Sequence, residues 1–104
     1  ASHRERLYES VILTAKGELL VAVGELEAAE TCFVRALEVA GGQHTRLWEL
    51  FAATALARLW QSQGKITEAR ELLQPIYDWF TEGLDTVPLQ EAKSLLDKLT
   101  DQNE

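Results

Sequence analysis

The sequence holds one cysteine, two prolines and no methionine in 104 residues. Cys32 has no partner in the chain, so no internal disulfide can brace the fold, and a reducing cytoplasm is the expected setting. A chain of this length buries roughly two-thirds of its unfolded surface, enough for the core of a single domain without such a staple. Methionine is missing even at residue 1, which leads us to expect a fragment or processed piece of a larger protein. Cations are scarce: 10 Lys and Arg face 17 Asp and Glu, for a net charge of −7. This balance argues against nucleic acid, whose phosphates call for clustered Lys and Arg, and against anionic membrane surfaces. No apolar run approaches the roughly 18 residues of a membrane span, and no signal-peptide pattern opens the sequence. Gly/Ser-rich linkers and low-complexity tracts are also missing.

What is present is a repeat. Arg6-Leu7-Tyr8-Glu9 returns after 40 residues as Arg46-Leu47-Trp48-Glu49. At the same shift Thr14-Ala15 returns as Thr54-Ala55, Leu19 as Leu59, Gly24 as Gly64 and Ala29 as Ala69. A period of this length is the signature of stacked helical hairpins, and such a stack offers a surface rather than an enclosed active site. No segment alternates with strand period, so the fold is all-α with about five helices. A first helix starts near His3 through a capping box at Ser2-His3-Arg4-Glu5, with Leu7, Val11, Thr14, Ala15, Glu18 and Ala22 on one stripe and Leu13, Leu20 and Val23 in adjacent rows. Gly24 ends it, and Glu25 and Glu27 suit the positive end of the next. There, Ala29, Phe33, Ala36, Leu37 and Ala40 share a face, and Gly41-Gly42 stops the helix. A third helix covers about residues 45–63, with Leu47, Phe51, Thr54, Leu56, Leu59 and Trp60 carrying its apolar surface. Thr67 is the expected cap of a fourth helix, which runs through Ala69, Leu72, Leu73, Ile76 and Phe80 to Gly83. Pro75 inside it should bend it, at about 3 kcal/mol in an ordinary interior. After Asp85-Thr86-Val87-Pro88, a fifth helix turns Leu89, Ala92, Leu95, Leu96 and Leu99 inward. The reading is hairpin 1 over about residues 3–40, hairpin 2 over about 44–83 and a closing helix over about 87–101, in one domain.

The repeated residue types fit close helix crossings. Gly17 and Ala57 occupy one small position, and Ala29 and Ala69 occupy its counterpart on the second helices. Phe33 and Leu73 are large and suit the gap between hairpins, followed by Ala36 and Ile76. This succession of small residue, turn glycine, Ala, bulky apolar residue and Ala resembles the tetratricopeptide repeat across about residues 6–83. The resemblance implies antiparallel hairpins stacked as a short right-handed solenoid. The family's usual period is about 34 residues, so longer helices are expected here. The family's proline after the second helix is replaced by Gly41 and Thr81. Three phrases resemble something narrower: Lys16-Gly17-Glu18-Leu19-Leu20, Ala57-Arg58-Leu59-Trp60-Gln61-Ser62-Gln63-Gly64-Lys65, and Trp79-Phe80-Thr81-Glu82-Gly83-Leu84-Asp85-Thr86 continuing into Leu89-Gln90-Glu91-Ala92-Lys93. They are similar to the C-terminal end of large bacterial regulators that carry a class III adenylate/guanylate cyclase or another output domain, an ATPase module and helical repeats. That resemblance implies a signalling context and carries no catalytic residue onto this sequence.

Chemistry-bearing patterns are sparse. Gly64-Lys65 is followed by Ile66 and lacks the upstream glycine of a phosphate loop. One cysteine and two distant histidines give no zinc spacing. His3 and His44 are expected at the surface, and Cys32 partly buried beside Phe33 rather than reactive. Glu25, Glu27 and Glu30, Glu68 and Glu71, and Asp97 and Asp101 are expected on solvated faces rather than as split-pKa acid–base pairs. No catalytic residue, metal or cofactor is assigned. Among the tryptophans, Trp60 is expected in the core, Trp48 at a hairpin end, and Trp79 half exposed, as a binding hot spot or as a rim covered by the closing helix.

The resemblance implies binding on the concave face, lined by the first helix of each hairpin. Mapped through the repeat, that face takes Val11, Thr14, Glu18 and Val21 from the first unit and Phe51, Thr54, Arg58 and Gln61 from the second. Glu18 and Arg58 are equivalent positions of opposite charge, so they are candidates both for an ion pair and for ligand contact. Lys93 and Lys98 would join if the closing helix shares the groove. The expected function is a non-enzymatic interaction module for a protein, a peptide or another copy of the chain, with no nucleic-acid or membrane partner. A regulatory segment acting on an upstream cyclase or ATPase domain is the alternative.

Overall fold

The computed structural model describes residues 3–42, 46–80 and 86–102. Five helices follow one another: α1 (His3–Ala22), α2 (Leu26–Gly42), α3 (Arg46–Ser62), α4 (Ile66–Asp78) and α5 (Val87–Gln102). Among the described residues there is no strand, and no helix is long and apolar enough to cross a membrane. Each helix packs on its neighbour in the chain, and α1 also meets α3, which in turn meets α5. Hence α1, α3 and α5 lie side by side as one layer. The second layer is α2, seated on α1 and α3, and α4, seated on α3 and α5. The shortest dimension, 19 Å, is what two layers of helices roughly 8–10 Å apart produce.

The 40-residue repeat is clearest in the turns. Gly24 and Gly64 have φ of +86° and +80°, the left-handed conformation that glycine adopts without penalty. After α1, the Gly24 amide donates to the Val21 carbonyl and the Glu25 amide to the Leu20 carbonyl. After α3, Gly64 donates to Gln61 and Lys65 to Trp60 in the same geometry. Both are Schellman caps, which satisfy carbonyls the helix end would otherwise orphan and fold the next helix back antiparallel. The second helices also start alike, with Ala29 donating to Glu25 and Ala69 to Lys65. Thr67, the expected cap of α4, therefore lies inside that helix: Lys65 holds the cap position with no side-chain hydrogen bond. The glycine turn delivers the chain to Lys65 directly, so the cap position falls two residues before Thr67. The Ser2 cap, the Thr45 start and the Gly83 stop lie outside the described residues. In fact α4 ends at Asp78, three residues beyond Pro75, and Phe80 packs against the core from beyond the helix. Pro88 stands in the first turn of α5, where its missing N–H costs nothing, and Thr86 supplies the carbonyl that Gln90 donates to.

Burial follows the small residues. Ala29, Phe33, Ala36 and Ala40 of α2 are buried, as are Ala57, Ala69, Leu73 and all five inward residues read for α5. The stripe expected for α1 is corrected. Its buried row is Ser10, Thr14 and Gly17, flanked by half-buried Leu13 and Leu20, while Val11, Ala15, Glu18 and Ala22 are exposed. The reason is close approach: a Cβ at Gly17 would stand 2.4 Å from Phe33 Cε1, and Ser10 Oγ donates to the Ala36 carbonyl at 3.1 Å. Only small residues let α1 come so near α2. Phe33 fills the resulting gap with Leu56 and Leu59 of α3. In the second unit the pair Gly17–Phe33 becomes Ala57–Leu73, a larger residue facing a smaller one. On α3, Leu47 and Phe51 are likewise exposed rather than buried, and Leu50, Ala52 and Ala53 take the core positions.

Two outcomes are expected in urea denaturation. Gly17→Ala should lose up to about 2 kcal/mol, because overpacking of about 1–3 kcal/mol opposes the roughly 1 kcal/mol that alanine adds to a helix. In a Phe33→Leu background, which recreates the Ala57–Leu73 pairing, the same substitution should become neutral or stabilising. Gly24→Ala and Gly64→Ala have open space around the new methyl, so each should cost the backbone term alone, about 1–2 kcal/mol.

Candidate functional site

The layer of α1, α3 and α5 carries a continuous groove. Between α1 and the start of α3 is a mostly apolar depression of about 160 Å³, lined by Val11, Ala15, Trp48 and Phe51 with Glu18 at its edge. Further along, Glu18, Val21, Arg58 and Ser62 surround a second depression floored by Phe33 and Leu59. A third, between α3 and α5, joins Glu18, Phe51, Thr54 and Arg58 to Pro88 and Glu91. The last is polar and is lined by Arg58, Gln61, Glu91, Ser94 and Lys98. Glu18, Phe51, Arg58 and Glu91 each belong to more than one of these, which makes the row continuous. All eight residues mapped through the repeat line it, and Lys98 joins from α5. A depression of about 160 Å³ is small beside the roughly 300–1,000 Å³ of small-molecule pockets and matches one or two apolar side chains.

The side chains divide by what they offer. Thr14 and Thr54 are buried, and their hydroxyls donate to the carbonyls of Ser10 and Leu50 at 2.9 and 2.8 Å within their own helices. They form the groove floor, with their hydroxyl protons donated within their own helices. Phe51 stacks on Trp48 with ring centroids 5.6 Å apart, so the apolar end is a two-ring wall. Arg58 turns to α5 and meets Glu91 at 3.6 Å, rather than pairing with Glu18. Both partners are about half exposed, so the pair contributes at most about 1 kcal/mol. Glu18 stands in the same groove and is exposed.

Trp79 is 55% exposed but does not line these four depressions. Phe80 packs edge-on to its ring at 5.2 Å, and the Arg46 guanidinium lies 5.1 Å from the ring centre. Arg46 also reaches Glu49 at 3.0 Å. Trp79 thus links the end of α4 to the start of α3, away from the groove. Trp60 is half-buried between the two core clusters. Its indole N–H donates to Glu30 Oε1, and Lys65 Nζ stands 3.9 Å from the same oxygen. Glu30 was expected on a solvated face; instead it ties α2 to α3 and to the turn that follows. Cys32 is partly buried, as its place beside Phe33 suggested. Among the described residues no group of three or more His, Cys, Asp and Glu is gathered as a metal site.

The chain matches no protein-family model, no curated protein and no solved structure.

Trp60→Phe removes one donor to a carboxylate together with part of the indole that packs on both core clusters, so the expected loss is about 2 kcal/mol. Glu30→Gln keeps an acceptor for the indole and should cost less. Urea midpoints of the two variants check the order, and equal losses would contradict a role for the hydrogen bond.

Proposed function

We propose that the chain is a tetratricopeptide-like interaction module whose groove across α1, α3 and α5 receives a segment of a partner protein or of another domain of the same polypeptide. The observation that carries this reading is the fate of the equivalent pairs. Val11 and Phe51, 40 residues apart, line one apolar stretch, and Glu18 and Arg58, also 40 apart, line the charged stretch beside it. A core-packing repeat alone gives no reason for a phenylalanine and a valine to stay at the surface of the same groove. The combination of an apolar wall with both signs of charge suits a peptide or helix carrying apolar anchors and polar flanks. The reading is a binding role in the cytoplasm, with no catalytic residue.

The three phrases similar to bacterial cyclase- and ATPase-bearing regulators support a second, narrower reading. In it the occupant of the groove belongs to the parent protein, and the module regulates an upstream output domain. Deleting this segment from such a parent should change basal activity or its response to ligand; unchanged activity would count against regulation while leaving the binding role standing.

The groove itself is tested by Phe51→Ala, expected to cost about 1–2 kcal/mol through lost contact with Trp48, and by Arg58→Glu, which exchanges the Glu91 ion pair for like charges at a cost of about 1 kcal/mol. Side-by-side affinity capture with wild type and variants should lose the same partner in both variants, at least tenfold in affinity. Equal capture by all three forms would overturn the assignment of the site.

A further inference from the structure

The two ends of the helix stack are finished differently. At the α5 end the outward residues are polar: Lys93 and Asp97 are exposed, and the apolar residues turn inward. At the α1 end the outer face is apolar and uncovered, with Ile12 at 62% and Leu19 at 70% exposure and Val23 continuing the stripe. The repeat shows what this face becomes when it is covered. Ile12, Lys16 and Leu19 are the 40-residue equivalents of Ala52, Leu56 and Leu59 of α3. All three α3 residues are buried, and Leu56 and Leu59 share a cluster with Ala29 and Phe33 of α2. The chain therefore contains the same helix face in two states, one seated under a preceding hairpin and one open.

We propose that the outer face of α1 is a stacking face for a further helical hairpin, supplied ahead of α1 in the same polypeptide and seated as α2 is seated on α3. Its second helix carries the α2 pattern, a small residue followed four positions later by a bulky apolar one, so that small and large side chains interdigitate with Ile12 and Leu19. A second copy of the chain is a poorer fit. The α2 face that would seat on α1 is already occupied by α3, and α5 offers a polar outer surface to any head-to-tail neighbour. Each copy also carries a net charge of −7, which opposes association. Lys16 replaces the buried Leu56, and its long stem lets the ammonium reach the rim of the interface. The interface is separate from the groove and does not rest on the groove's having a partner.

The test duplicates hairpin 1 in register, as residues 1–45 followed by residues 6–104, so that the original α1 becomes internal. Nearest-neighbour stacking should raise the Tm by roughly 5 °C or more over the parent chain. Leu19→Lys in the internal α1 should abolish that gain. The same substitution in the parent, where Leu19 is exposed, should move Tm by no more than about 2 °C. Lys16→Leu in the internal α1, matching Leu56, should enlarge the gain. A duplicated chain that melts no higher than the parent, or whose gain survives Leu19→Lys, would overturn the proposal. Sedimentation of the parent as a dimer that Leu19→Lys dissociates would overturn it in favour of a second copy.

Discussion

Phe33 occupies space that any side chain at position 17 would need, and the layout of the first three helices depends on this contact. With a hydrogen at Gly17, α1 settles against α2 closely enough for Ser10 to bond the Ala36 carbonyl. The ring then extends to Leu56 and Leu59, and so holds α3 beside α1. The spacing of α1 and α3 is the width of the groove, and Phe33 forms part of its floor. One buried aromatic thus connects helix crossing, unit stacking and the shape of the candidate binding surface. Packing at organic-crystal density makes that connection stiff, because neither helix can shift without opening a void or a clash.

The second unit solves the same problem with different volumes. Ala57 and Leu73 replace Gly17 and Phe33, and the core they face includes Leu89, Leu95, Leu96 and Leu99 of α5. At the 40-residue shift Ala92, Leu96 and Leu99 of α5 are the equivalents of Ala52, Leu56 and Leu59 on α3, and all six are buried against the preceding hairpin. Asp97 then falls where the first two units carry Gly17 and Ala57, and it is exposed. A charged side chain there is unsuited to the close approach that α2 makes to α1. Polar ties reinforce the stack modestly. Glu30 joins Trp60 and Lys65 across the units, and Arg58 joins Glu91 across the groove.

The parts of this arrangement legible in the sequence were those carried by periodicity. Gly24 and Gly64, Ala29 and Ala69, Phe33 and Leu73, and the five inward residues of α5 stand out because two or three equivalent positions agree. The face of α1 was legible only in part. Gly17 stood out as a small crossing position and Thr14 as a member of the stripe, whereas Ser10 carries no apolar signal, and Val11 and Ala15 are regularly spaced yet exposed. Leu47 and Phe51 misled for the converse reason: being apolar and regularly spaced, they resemble core residues, yet they lie on the exposed side of α3. The Thr67 cap gave way to a backbone solution in the glycine turn. The Glu30–Trp60 bond joins residues 30 apart on different helices, and no local pattern marks such a pair. For the groove, the repeat located the residues, while only the structure showed that Thr14 and Thr54 spend their hydroxyls internally and that Arg58 turns to Glu91.

The central claim is that Phe33 is wedged between Gly17 and α3, and NMR of the folded chain tests it most directly. The account predicts Gly17 α-proton resonances displaced by the Phe33 ring current, with nuclear Overhauser contacts from that ring both to Gly17 and to the Leu56 and Leu59 methyls. Ordinary Gly17 shifts with no contact to the Phe33 ring, in a chain that is otherwise helical, would contradict it.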